Sequence, residues 1–236
     1  MSKSAKNAII DLVSIPFFSN NVGGKPNKQK PPKTSEVFKT NKTINVSSYQ
    51  TYGHASDYFK IIADGLGDGS QKEGQKPALL MAKNSRIRNI VIGRPGVDGV
   101  HCLGTNTITN IFWEDVGEDA LTVKGDEKHN VGTIEIIGGG AWKAQDKIIQ
   151  INAPCTLRLI DFYAEGFGRL VRVNGGKKFP VKIEIVGGHF RDGSSIVMSD
   201  SPETTVVCSN CDFVNIESPF RLVKGSKLTE KDIRKF

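Results

Sequence analysis

The chain has 236 residues, enough for one domain with a substantial core, and its formal charge of +7 invites a polyanion-binding reading. Eight Lys against Asp11 and Glu36 put +6 of that charge in residues 1–45 and leave +1 for the rest, which excludes a basic nucleic-acid-binding body. No apolar run is long enough to span a bilayer, and four cysteines, Cys102, Cys155, Cys208 and Cys211, are too few for a disulfide scaffold and lack the histidine spacing of a zinc site.

Residues 8–18, AIIDLVSIPFF, are broken by Asp11 and Pro16 and carry no small-residue cleavage site, so no signal peptide is evident. Residues 1–36 read as a flexible Lys/Pro-rich arm, on the strength of 19–36, which are rich in Lys, Pro, Asn and Gly and hold too few large apolar groups to offset the entropy of ordering. The domain is expected over 37–236, beginning with a strand near Val37. Runs rich in β-branched residues then recur at Ile87–Ile92, Thr107–Trp113, Thr133–Ile137, Thr156–Phe162, Val181–Val186 and Thr205–Phe213, with Gly, Asn or Asp turns between them. Their spacing of about 20 to 25 residues, with no amphipathic helix between them, is the signature of a parallel β-solenoid. The competing antiparallel sandwich needs tight hairpin signals, and Asn-Gly occurs only at Asn174-Gly175. The last segment, GSKLTEKDIRKF, is expected to form a short helix with Leu228 and Ile233 turned inward over the open end of the core.

In a solenoid, residues one coil apart become neighbours about 4.8 Å apart along the axis. Residues 98–119 carry Asp98, Glu114, Asp115, Glu118 and Asp119 with no Lys or Arg. Asp98 precedes Glu118 and Asp119 by 20 and 21 residues, so three carboxylates converge on one face, where mutual repulsion calls for a cation. An all-oxygen set favours a hard ion, and Ca²⁺ tolerates irregular carboxylate geometry better than Mg²⁺. Glu114 and Asp115 belong to a different corner and rank second. His101, beside Cys102, reads as a packed turn histidine.

Downstream the sign reverses. Lys147 is followed by Arg169 and Arg172 at 22 and 25 residues, about one coil on, and a guanidinium fork suits uronate or phosphate oxygens. Ion pairs with Asp161 and Glu165 are the structural alternative. Lys124, Lys143, Asp146 and Trp113 rank as second-tier substrate contacts, Trp113 as an exposed sugar platform.

The stretches GLGDGSQKEGQKP (65–77), DGVHC (98–102), WEDVGEDALTVKG (113–125), GGGA (138–141), DK (146–147) and GFGRLVR (166–172) resemble, in this order, polysaccharide lyase family 3 pectate lyases, over about residues 60–220. The resemblance implies an all-β, right-handed, single-stranded parallel β-helix and Ca²⁺-dependent β-elimination of α-1,4-linked polygalacturonate to unsaturated oligogalacturonates. It places Asp98, Glu118 and Asp119 at calcium-ligand positions, Lys147, Arg169 and Arg172 at basic active-site positions, and Glu73 at the position of a suspected functional acid. Arg169 stands where relatives also carry Lys, which keeps the charge and changes the geometry. Lys147 is the expected base, because Ca²⁺ and two arginines can depress a lysine pKa, with Arg172 second.

The implied partner is pectin, with no specific nucleic acid and no membrane, for a monomer acting outside the cell. Three alternatives stand: a non-catalytic pectin-binding solenoid, a pectin hydrolase on the same fold using two carboxylates, and polyanion binding by the Lys-rich arm.

Overall fold

The computed structural model describes residues 24–236. In chain order the strands are β1 (Glu36–Lys39), β2 (Ile44–Val46), β3 (Thr51–Tyr52), β4 (Phe59–Ile62), β5 (Leu79–Met81), β6 (Ser85–Ile92), β7 (Val100–Cys102), β8 (Asn106–Trp113) and β9 (Leu121–Val123). Three strands of 19 residues follow, β10 (Thr133–Ile151), β11 (Cys155–Val173) and β12 (Val181–Ser199). The chain closes with β13 (Thr204–Ser209), β14 (Asp212–Ile216), β15 (Phe220–Leu222), β16 (Lys227–Lys231) and β17 (Arg234–Lys235). Their ladders are parallel throughout, and the chain winds as an all-β parallel solenoid of about nine turns.

Each coil has three faces. On one, here the cleft face, Val100, Leu121, Ile149, Val171 and Val197 stack in register. All five are buried and form one wall of a continuous aliphatic core. The second face carries the first segments of β6, β8, β10, β11 and β12 and the third the segments that follow the corner, while the last segments of β10, β11 and β12 lie on the cleft face. The long strands pass from face to face without losing the ladder because left-handed residues turn the corner. Asn89, Asn110, Gly138, Asp161, Gly187, Asn210 and Asp232 all have φ between 50° and 66° and lie one coil apart. Asn and Asp tolerate this region better than other side chains, and Asn110 Nδ2 donates to Asn89 Oδ1 at 3.1 Å, linking the corners of two coils.

The coil length is not constant, and its departures frame the cleft. Val100 to Leu121 is an offset of 21 residues, but Leu121 to Ile149 is 28 and Val171 to Val197 is 26. The extra residues form the loops after β9 and β11, at one edge of the cleft face, where Lys177 Nζ pairs with Glu127 at 2.7 Å. Ile44 to Leu79 is 35, and that excess is the loop between β4 and β5 at the opposite edge.

The terminal helix expected over 225–236 is not formed. Leu228 pairs with Val206 and Arg234 with Asp212, as β16 and β17 extend the ladders of β13 and β14. Open edge groups of the last complete coil offered a template, and pairing outweighed local helical spacing. Strand structure starts at Glu36, next to the expected Val37.

Residues 1–23 of the expected arm lie outside the described residues. Residues 24–35 form no strand but run against the body: Lys28 pairs with Glu165, Pro26 O accepts from Arg191 Nη1 at 3.4 Å, and Ser35 N donates to Tyr58 O at 2.9 Å. No helix among the described residues is long and apolar enough to cross a membrane. All four cysteines are buried free thiols, Cys208 and Cys211 with Sγ atoms 3.7 Å apart.

Candidate active site

An open cleft of about 440 Å³ lies on the cleft face, lined by Glu73, Asp98, Glu118, Asp119, Lys124, Asp146, Lys147, Arg169 and Arg172, with Thr122, Gln150, Asn152 and Asn174 among the polar residues between them. Its geometry follows from the ladders. The 21-residue offset that stacks Val100 on Leu121 stacks Asp98 on Asp119, the next offset of 28 brings Lys147 below Asp119, and Lys147 pairs directly with Arg169. One column therefore reads Asp, Asp, Lys, Arg along the axis. Two residues on from each sits an apolar core residue, Val100, Leu121, Ile149 or Val171, so all four side chains are held beside buried strand segments.

The acidic half is buried and strained electrostatically. Asp98, Glu118 and Asp119 expose 5%, 8% and 4% of their surface. Asp98 Oδ2 lies 2.7 Å from His101 Nε2, and Thr122 Oγ1 donates to Asp119 Oδ2 at 3.4 Å. Asp98 Oδ1, Glu118 Oε2 and Asp119 Oδ1 are buried without a hydrogen-bond partner; Lys147 Nζ is 3.4 Å from Asp119 Oδ1, an ion pair outside good hydrogen-bond geometry. Burial pushes the Glu118 carboxyl up to about 7, with Asp98 and Glu73 adding to it. Burial likewise raises Asp119 to about 7 against the pull of Lys147, with Asp98 and Glu118 adding.

Three buried carboxylate oxygens without hydrogen-bond partners, of which only Asp119 Oδ1 has a cation beside it, fit a hard divalent cation, since an unmatched buried acceptor costs free energy until something positive meets it. Among the described residues no three His, Cys, Asp or Glu side chains form a ready-made metal cage. His101 engages one Asp98 oxygen, and Lys147 lies beside Asp119.

The basic half is bridged by one carboxylate. Asp146 Oδ2 accepts from Lys147 Nζ at 2.8 Å and its Oδ1 from Arg169 Nη1. Arg172, one strand position outward of Val171, stacks on Gln150 and Met198. Its Nη2 donates to Asp200 Oδ2 at 2.8 Å, and its Nη1 is buried with no partner.

Asp98, Glu118, Asp119, Lys147, Arg169, Arg172 and Glu73 are thus brought together, with Lys124 and Asp146 beside them. Trp113 is not. At 1% exposed it lies in the core, edge-on to Phe162, because it ends β8 on the inward side of the strand. Lys143 also lies elsewhere, at a corner with φ 63°, lining a separate cleft with Arg94 and Asp115. Glu114 and Asp115 are engaged by Lys60 and Arg94 at 2.6 and 2.8 Å, in keeping with their second rank. Asp161 and Glu165 do not pair with the arginines; Glu165 takes Lys28 and the Tyr163 hydroxyl. Sequence reasoning missed Asp200, Gln150 and Asn152. For Gln150, register from Arg172 was the available signal; Asp200 stands past the end of a strand, where register does not reach.

A sequence profile described as pectate lyase matches residues 28–217. The chain is 37% identical over 157 residues to a probable pectate lyase E of Neosartorya fischeri, covering 64% of this chain and 61% of that protein. It is 34% identical over 170 residues to pectate lyase E of Emericella nidulans, covering 70% and 63%. The chain thus spans a little over six tenths of these relatives' length. In fold it is similar to the catalytic domain of a pectate lyase of Erwinia chrysanthemi, with TM-score 0.61 and 22% identity over 86% of this chain and 98% of that one. A structure of the Erwinia enzyme in complex with tetragalacturonic acid aligns with TM-score 0.55 and 24% identity, over 82% of this chain and 61% of that one.

Proposed function

The chain belongs to the pectate lyase family, and from that premise we propose that it is a Ca²⁺-dependent lyase that cleaves α-1,4-linked polygalacturonate by β-elimination, acting outside the cell as a monomer. The observation that carries this reading is the column of Asp98, Asp119, Lys147 and Arg169, which sets orphaned carboxylate oxygens beside a basic cluster in one cleft.

Asp98, Glu118 and Asp119 are the residues that would hold the ion. What Ca²⁺ supplies there is positive charge against the uronate carboxylate, which is otherwise a poor activator of the neighbouring C5–H bond because it is already anionic. Arg172 lines the same cleft, and its guanidinium is of the type that binds a carboxylate. Lys147 is the proposed base. It begins between Asp146 and Asp119, which hold its ammonium in place, and it must lose a proton to solvent before it can accept one. It then takes the C5 proton, the C5–H electron pair becomes the C4–C5 double bond, the C4–O bond breaks, and the leaving oxygen is protonated by water. Arg172 is the second candidate for base, although guanidinium effectively stays protonated. Either predicts an activity that rises into alkaline pH.

Ultraviolet absorbance of the unsaturated product on polygalacturonate, with Ca²⁺ and with chelator, tests the reading. Absorbance that rises with Ca²⁺ and stops with chelator supports it. Saturated new ends would make the protein a hydrolase, and retention of pectin without any product would make it a binding module.

A further inference from the structure

We propose that Asp200 is a positioning residue for Arg172, fixing the pose of its guanidinium at the lining of the cleft. The proposal builds on the lyase reading above but concerns a carboxylate which that reading leaves without a role.

Arg172 has no other anion to lean on within its own column. Its ladder neighbours are Gln150, whose Nε2 is given to Asn152 Oδ1 at 2.7 Å, and Met198, which has no strong acceptor. Asp200 comes from just beyond β12, and its Oδ2 accepts from both Arg172 Nη2 at 2.8 Å and the Gly176 backbone N–H at 3.1 Å. The carboxylate is therefore anchored to the turn after β11 while it holds the arginine one residue before the end of β11. Its carboxyl is held below the usual range by the hydrogen bond from Arg172 first and that from Gly176 second, so the contact persists throughout the neutral and alkaline range.

Gly175 provides a separate observation. A Cβ built there would stand 2.8 Å from Arg172 Nη2 and 3.7 Å from Asp200 Oδ2. The guanidinium thus occupies the space a side chain would take, and the turn is shaped around the arginine's pose. With Nη2 fixed between Asp200 and this turn, Nη1 is left buried and unmatched. An arginine already locked loses less freedom on binding an anion.

Three measurements on the full chain test the assignment. The first is side-chain NMR of Arg172, which should show a rigid guanidinium in the parent protein and a mobile one in Asp200→Asn, with rigidity partly regained in Asp200→Glu. The second is turnover of polygalacturonate: Asp200→Asn should lower kcat/KM by about 10- to 100-fold through misplacement of the arginine, with little further loss when added to Arg172→Lys. The third is Gly175→Ala, which should loosen Arg172 with Asp200 still in place and stands as a second variant if Asp200→Asn does not fold. An Arg172 that stays rigid in Asp200→Asn and Gly175→Ala, or losses that multiply in the double variant, overturns the proposal. If the parent protein produces no unsaturated product, the lyase reading fails, and the NMR comparison still decides whether Asp200 positions Arg172.

Discussion

Two outward-facing columns of charge run along this solenoid, and the same backbone geometry makes them opposite in kind. On the second face Glu135, Arg158 and Glu184 stack in register, and Arg158 pairs with both glutamates. Signs alternate there, so the charges satisfy one another. On the cleft face Asp98 stacks on Asp119 and Lys147 on Arg169. Like lies next to like within each half of the column, with the Lys147–Asp119 ion pair where the halves meet; buried carboxylate oxygens lack hydrogen-bond partners, and two carboxyls are raised to about 7. A parallel ladder places every residue against its counterpart one coil on, so the order of signs along a column decides whether charges serve the fold or await a ligand.

The sharpest break of this comparison is Lys147→Ala. It should lower turnover of polygalacturonate by about 10³-fold if Lys147 is the base, while leaving the thermal midpoint within a few degrees of the parent. Unchanged turnover, together with its abolition in Arg172→Lys, would transfer the base to Arg172.

A smaller effect concerns pH in the absence of metal. Glu118 and Asp119 bind protons more tightly folded than unfolded, since burial and neighbouring acids raise both to about 7. Unfolded carboxyls titrate near about 4, so between these values the folded state holds more protons and loses stability as pH rises. With chelator present the melting temperature should fall by several degrees between pH 5 and pH 8, roughly 2–4 °C per kcal/mol for a chain of this size, and Ca²⁺ should restore it at pH 8. A midpoint that climbs over this interval without metal would contradict the strained acidic column.

The smallest effect belongs to the alternating column. Arg158 is 43% exposed, and exposed pairs contribute about 0–1 kcal/mol. Arg158→Ala should therefore shift the midpoint by no more than about 4 °C and leave turnover unchanged; a large loss of activity would mean that the two faces are not separable in function.

Much of this contrast was legible in the spacing of residues. The offset of 21 that joins Asp98 to Asp119 matches the observed register of 21 between β7 and β9, with Glu118 one residue off it, and Lys147 with Arg169 matches the pairing of β10 and β11. Parity was harder to read. Trp113 ends a strand, and an aromatic residue at such a position suits a sugar or the core equally well; packing against Phe162 decided for the core. The terminal helix failed because Leu228 and Ile233 were read for helical spacing, whereas the unpaired edge of β13 imposed a strand. Asp200 was invisible because it acts from a corner, and corner residues reach sideways to neighbours that no periodic offset predicts. The uneven coil lengths were present in the sequence as well, and they mark the loops that frame the cleft.

The central claim is that the like-charged acids of the cleft face hold a cation. Calorimetric titration of Ca²⁺ into the full chain at pH 8, repeated with Asp119→Asn and at pH 6, tests it most directly. The account predicts one saturable site in the parent, weakened at least tenfold by the substitution and weakened again at pH 6 as Glu118 and Asp119 take up protons. Binding that is absent in the parent, or unaffected by Asp119→Asn and by pH, would contradict it.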